Sequence, residues 1–256
     1  MKLLSSLLLM IIFLTAHAQP AHYSVANAHA HNDYVHPHPF VTAYGEAFGS
    51  IEADIFLEHD SLMVSHELKD TQSNRTLQKL YLNPLLQKVQ ENNGYPYPDT
   101  NRSLQLLIDI KTDSLSTLKK LVEVLRGYPA IINQQKIRIT ITGNRPLYSL
   151  FTSYPPFIWF DGELHKNYSA AALTRIVMMS DDFENYSKWN GQGVMPAADK
   201  REVNAGIAKS HRLNKPVRFW DAPDLPNAWK QFESQGVDYI NTDKLKELSN
   251  FFKQMP

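Results

Sequence analysis

Cysteine is absent from all 256 residues. The chain therefore forms no disulfide, holds no thiolate metal site and has no cysteine to carry a lipid anchor. Glycine is scarce, at 10 residues, and the 15 prolines are scattered. No Gly/Pro/Ser-rich linker and no repeat marks an internal boundary. An excess of one charge is lacking too. With 26 basic and 26 acidic side chains, no basic tract points to nucleic acid or to an anionic lipid surface. After the first 14 residues, no stretch is long and apolar enough to span a bilayer as a helix.

What is present begins with a leader. Lys2 gives a short positive start, residues 3–14 an apolar stretch, and Ala16-His17-Ala18 an A-x-A cleavage pattern. Twelve residues fall short of the ~20 a membrane helix needs, so cleavage after Ala18 is favoured over a retained anchor. The expectation is an exported chain of residues 19–256, periplasmic or extracellular, without a stable membrane anchor. A single domain of that length buries a core large enough to dispense with disulfides.

Short apolar runs alternate with helical patterns along the chain. Strands are predicted at residues 24–28, 50–57, 104–111, 136–143, 157–162, 216–221 and 239–243, and a weakly marked one at 193–195. Helices are predicted at 77–91, 115–125, 201–211, 227–234 and 244–252. In the second of these, apolar residues recur at 115, 118, 121, 122 and 125, close to the 3.6-residue period. Strands alternating with helices build parallel βαβ units, and eight units in one unbroken domain predict a closed (β/α)8 TIM-type barrel of the α/β class.

In such a barrel the chemistry lies at the C-terminal ends of the strands. Strand one ends in His29-Ala30-His31-Asn32. Strand two carries Glu52 and Asp54, two apart and therefore on one face, while Ile51, Ala53 and Ile55 form the opposite, apolar face. Asp109 and Lys111 close strand three, and His66 follows the apolar run 62–64. Three inward carboxylates are costly unless a cation sits among them, and one lysine cannot neutralise three acids. A single hard divalent cation, Mg²⁺ or Ca²⁺, with Glu52, Asp54 and Asp109 as ligands answers the imbalance. Histidines beside it offer acid and base catalysis near neutral pH. His59, His165 and His211 sit in polar, unpatterned contexts and read as surface residues.

The order His29, Glu52-x-Asp54, His66, Asp109-x-Lys111 resembles the glycerophosphodiester phosphodiesterase and phosphatidylinositol-specific phospholipase C superfamily. Residues 236–243 (GVDYINTD), with Phe219-Trp220 before them, are similar to its last two strands. HAHNDY at the start and RTLQKLYLNPL at 75–85 look more like the subgroup of the fungal protein altered inheritance of mitochondria 6. The stretch Asp109-Ile110-Lys111-Thr112 also resembles spider-venom sphingomyelinase D. The resemblance implies a phosphoric diester hydrolase acting on a glycerophosphodiester or phospholipid-type head group. It implies His29 and His66 as catalytic histidines, Glu52, Asp54 and Asp109 as metal ligands, and Lys111 and Trp220 in the phosphate and head-group pocket, with His31 and Asn32 beside the substrate. Glycerophosphodiesterases follow the first histidine with Arg-Gly; here Ala30 takes that arginine's place.

Two other readings remain open at this stage. His29-x-His31 could be the metal-binding start of an amidohydrolase, although no further histidine marks the predicted sixth strand and Glu52 and Asp54 would be idle. A barrel mouth rich in aromatics could instead bind sugars or head groups without catalysis.

Overall fold

The computed structural model describes residue 20 and residues 22–254; the leader read at 1–18 lies outside the described residues. Among the described residues nine strands form one sheet: β1 Ala28–Ala30, β2 Ser50–Glu58, β3 Ser61–Val64, β4 Leu104–Ile110, β5 Ile137–Gly143, β6 Ile158–Glu163, β7 Ile176–Asp182, β8 Val217–Trp220 and β9 Ile240–Thr242. Eight of them run parallel in the order β8-β7-β6-β5-β4-β2-β1-β9. A parallel bridge between Arg218 and Tyr239 brings the two ends together. The result is a nearly closed parallel barrel, as expected from the sequence. β3 stands outside the ring, antiparallel to β2, and a tight turn with positive φ at His59 and Asp60 joins them.

The helices are α1 Val41–Gly45, α2 Asn83–Glu91, α3 Ser114–Arg126, α4 Pro129–Ile132, α5 Ala170–Leu173, α6 Ala197–Arg212, α7 Pro226–Gln235 and α8 Leu245–Lys253. Helix α3 shows how the sequence sets these elements. The Asp113 side chain accepts from the Ser116 amide at 2.9 Å, and Leu118, Leu121, Val122 and Leu125 bury one stripe against the barrel. Helix α7 starts at Pro226 and stops at Gly236, whose φ of 90° is the left-handed value that ends a helix. The helix predicted at 77–91 begins instead as a π-turn over Gln78–Leu82. Pro84 has no amide to give and its ring crowds the carbonyl of Leu80, so the wider turn relieves the clash.

Two strand expectations are corrected. The first strand is not 24–28 but Ala28–Ala30, because Ser24 caps a short 3-10 turn over Val25–Asn27. The sixth barrel strand is Ile176–Asp182, not 193–195. Its apolar run is only four residues, Ile176-Val177-Met178-Met179, without alternation, and the two methionines offset the two β-branched residues, so the sequence does not separate it from helix. Its identity comes from backbone pairing to β6 on one side and β8 on the other.

Along β4, Leu104, Leu106, Ile108 and Ile110 face the surrounding helices and are buried, while the alternate residues enter the barrel. There Leu107 is apolar, and Gln105 below it anchors a hydrogen-bonded layer. Ser50 Oγ accepts from Gln105 Nε2 at 3.1 Å, and Thr140 Oγ1 donates to Gln105 Oε1 at 3.0 Å. This bonded layer forms the floor of the chemistry above it.

Outside the barrel wall, Asp33 is fully buried. Its carboxylate accepts from the Phe40 amide at 2.5 Å and the Tyr81 hydroxyl at 2.9 Å. Burial pushes Asp33 up to about 6, against those two bonds. An acid raised in the folded state contributes stability below its unfolded pKa and loses it as pH climbs through the folded one. Wild type should therefore lose roughly 3 kcal/mol between pH 4 and pH 7 that Asp33→Asn keeps. Urea unfolding of both proteins across that range measures the difference, and parallel curves would refute it.

Candidate active site

Strand register brings the sequence-predicted acids to one level. Asp54 pairs with Asp109 across β2 and β4, and Asp109 with Thr142 across β4 and β5. Glu52, Asp54 and Asp109 each present an oxygen within 4.8 Å of the others, a grouping that could hold a metal ion. Lys111 Nζ lies 3.0 Å from Asp54 Oδ2 and 2.8 Å from Asp109 Oδ2. Gly143, at φ 69°, packs so tightly that a Cβ there would fall 1.9 Å from Asp109 Oδ1. That oxygen is buried and has no hydrogen-bond partner.

The electrostatics show what one lysine leaves undone. Burial, then the charges of Glu52 and Asp109, push Asp54 up to about 7. Asp109 is also raised, by burial first, with Lys111 pulling the other way. Burial acts upward on Glu52 as well, but its contact with His29 and the charge of Arg218 outweigh it and hold Glu52 well below the usual carboxylate range. A divalent cation fits this donor set: three hard oxygens, one of them buried without a partner, and a carboxylate that burial and its like-charged neighbours push upward.

The two histidines of strand one differ sharply. His29 is fully buried. Its Nε2 lies 2.6 Å from Arg218 Nη1 and 3.2 Å from Glu52 Oε2. A guanidinium only donates, so Nε2 accepts, and Nδ1 carries the hydrogen toward Ser50 Oγ at 2.8 Å. Burial and then Arg218 lower His29 to about 4, which leaves it neutral at ordinary pH. His31 lines the cavity, with Nδ1 2.9 Å from Asp243 Oδ1 and Nε2 4.0 Å from Glu52 Oε2. Burial alone would lower His31, but the bond to Asp243 and the charges of Glu52 and Asp243 prevail and raise it.

Asn32 takes a left-handed conformation, φ 47°, which asparagine tolerates. Its Oδ1 lies 2.6 Å from the Tyr34 hydroxyl, which also approaches Asp54 Oδ2 at 2.7 Å. His66 is exposed. It leaves β3 just past Val64, which pairs with Ile55, and among the described residues no hydrogen bond or ion pair holds its side chain. Trp220 ends β8 at the rim, 40% exposed.

A cavity of about 330 Å³ opens over the acids. Its far wall holds residues the sequence did not single out. Arg218 is 2% exposed and reaches Glu52 at 3.7 Å. Its signal was the period of β8, which turns it inward together with Trp220. Arg145 binds the Asp161 carbonyl and the Glu163 carboxylate. His165 is exposed, as read from the sequence, and also lines the cavity between Glu163 at 3.1 Å and Asp181 at 3.3 Å. His211, read the same way, is bonded to Asp238 at 2.8 Å. Asp181 and Asp238 lie 16 and 27 residues from their histidines, so no local pattern could announce those two contacts.

The AIM6-like phosphodiesterase domain matches residues 20–153, over half of the chain. The chain belongs to the AIM6-like phosphodiesterase family. The glycerophosphoryl diester phosphodiesterase family matches residues 216–246, the segment that carries β8 and β9. Altered inheritance of mitochondria protein 6 of Kluyveromyces lactis is 26% identical over 302 residues, covering 89% of this chain and 72% of that protein. Its homolog in Arthroderma benhamiae is 26% identical over 264 residues, covering 88% and 83%. A crystal structure of a glycerophosphodiester phosphodiesterase from Parabacteroides distasonis superposes with a TM-score of 0.53 at 12% identity, covering 84% of this chain and 88% of that one. That likeness shows the shared barrel. For an AIM6-like phosphodiesterase the carboxylate cluster, rather than a His-x-His metal pair, is the arrangement to explain.

Proposed function

We propose that this AIM6-like phosphodiesterase is a metal-dependent phosphoric diester hydrolase, exported from the cell, that acts on a small-molecule or lipid head-group diester. One observation carries the reading: three carboxylates within 4.8 Å at the base of a polar cavity, with a buried Asp109 oxygen left unpartnered. A Mg²⁺ or Ca²⁺ held by Glu52, Asp54 and Asp109 would offset negative charge gathering on the phosphoryl group.

The chain's own residues supply the remainder. Lys111 offers a second positive contact to the phosphate from the edge of the acid cluster. Arg218 contributes a guanidinium from β8, in a barrel where Ala30 stands at the place of the arginine that follows the first histidine in glycerophosphodiesterases. Strand one offers two histidines for proton transfer, and the geometry favours His31. Its Nε2 faces the cavity and Asp243 fixes the ring through Nδ1, the arrangement of an oriented acid–base histidine. His29 has its Nε2 engaged by Arg218 and so positions the guanidinium that faces Glu52 at 3.7 Å. His66, exposed on the loop after β3 and outside the cavity lining, is the partner histidine we assign to the proton on the other side of the phosphorus. Trp220 gives an apolar wall to the alcohol, and Asn32 keeps Tyr34 and thereby Asp54 in place.

The assay is direct. Purified protein is expected to cleave at least one of glycerophosphocholine, glycerophosphoinositol and phosphatidylinositol with added Mg²⁺ or Ca²⁺, and to stop in excess EDTA. Turnover that survives full chelation sinks the metal, and no turnover of any diester under any condition sinks the hydrolase.

A further inference from the structure

A second hollow adjoins the reaction cavity. It encloses about 530 Å³ between the loop after β5 and the loop after β6, a size that suits one small ligand. Gly143, Arg145 and Glu163 belong to the walls of both. Arg145, tied to the Asp161 carbonyl and the Glu163 carboxylate, forms the sill between them.

The two linings differ in chemistry. In the reaction cavity Trp220 is the one large apolar side chain among the described residues. The groove is lined by Leu147, Tyr148, Phe151 and Tyr168, with Lys166 at its edge. Leu147 is 74% exposed and Tyr148 43%, and Leu150 on the same turn is 40% exposed. The Tyr148 ring meets Tyr168 edge-on at 5.5 Å, which fixes both as a wall. Apolar residues exposed singly need no explanation, but three within one short loop, next to a polar cavity, are an unspent binding surface.

A phosphodiester carries two alcohols on one phosphorus. With the phosphorus over the acid cluster, one arm lies in the polar cavity and the other must leave across its rim. The route past Arg145 leads into the groove. We propose that this groove binds the apolar arm of an amphiphilic phosphodiester, a single acyl or alkyl chain carried by the second alcohol. The proposal rests on the phosphodiesterase reading above and chooses among its substrates: a single-chain lipid diester over its fully deacylated counterpart.

The test compares a lysophospholipid, kept below its micelle concentration, with the deacylated glycerophosphodiester of the same head group. Wild type is expected to favour the acylated substrate in kcat/KM. The double variant Leu147→Glu with Tyr148→Ala is expected to lower the ratio of the two values at least about tenfold, with the change in KM for the acylated substrate. A ratio that does not move, or a wild type that prefers the deacylated diester, overturns the groove while leaving the hydrolase standing. Calorimetric titration of the lysophospholipid into metal-free protein reads the groove without turnover. Binding present in wild type and lost in the double variant supports it, and equal or absent binding in both overturns it. No turnover of either substrate, with binding retained, fails the reaction and not the groove.

Discussion

His31→Ala is expected to lower kcat by about a hundred- to ten-thousand-fold, the range that a positioned acid or base supplies. The imidazole reaches into the cavity, and its other nitrogen is held by Asp243 at 2.9 Å. Removing it takes away the proton carrier without touching the carboxylates. Metal affinity, read by calorimetry, is therefore expected to stay close to wild type. Asp243→Asn should cost less, since the ring remains and loses only its orienting charge. The same Asp243 bond, with Glu52, raises His31 above its ordinary pKa. In Asp243→Asn the protonated form of His31 is accordingly less favoured, and its titration, followed by NMR, is expected to move down. Full activity in His31→Ala would return the role to His29, despite the engagement of its Nε2 by Arg218.

The second large effect concerns the cation itself. Added at a hundred times its Kd, Mg²⁺ or Ca²⁺ should stabilise the fold by about 2.7 kcal/mol. For a chain of this size that corresponds to a rise in Tm of roughly 5–10 °C. The rise is expected to vanish in Asp109→Ala, which removes the unpartnered oxygen along with its carboxylate. It should also depend on pH with a definite sign. Asp54 stands at about 7, so below that value a proton competes with the metal for the same carboxylate. The shift in Tm should be larger at pH 8 than at pH 6, and binding at pH 6 should release more protons to the buffer. A shift of equal size at both pH values, or one that persists in Asp109→Ala, would remove the acid cluster as the binding site.

Both expectations rest on residues of unequal visibility. Glu52 and Asp54 were legible because a strand alternates its faces: two acids at i and i+2, flanked by Ile51, Ala53 and Ile55, can only share the interior. Asp109 and Lys111 were legible for the same reason, and the barrel followed from apolar runs alternating with 3.6-residue patterns. The strand Ile176–Asp182 escaped because a short buried run carries no period that separates it from helix. Arg218, Arg145 and His165 escaped for another reason. Their partners come from other strands, and no spacing in the chain encodes which side chains meet across a barrel.

The sequence by itself determined the α/β barrel and the inward set of acids that could hold a cation, since both are written in local periodicity. The tertiary structure alone decided where the histidines lie, with His29 sealed against Arg218 and His31 turned to the cavity beside Asp243. It also decided that a groove adjoins the cavity across Arg145. Those outcomes depend on which strand ends closure of the barrel brings together: β1 meets β9, and Arg218 on β8 reaches His29 through the interior. Closure is a long-range event that two residues in sequence cannot report.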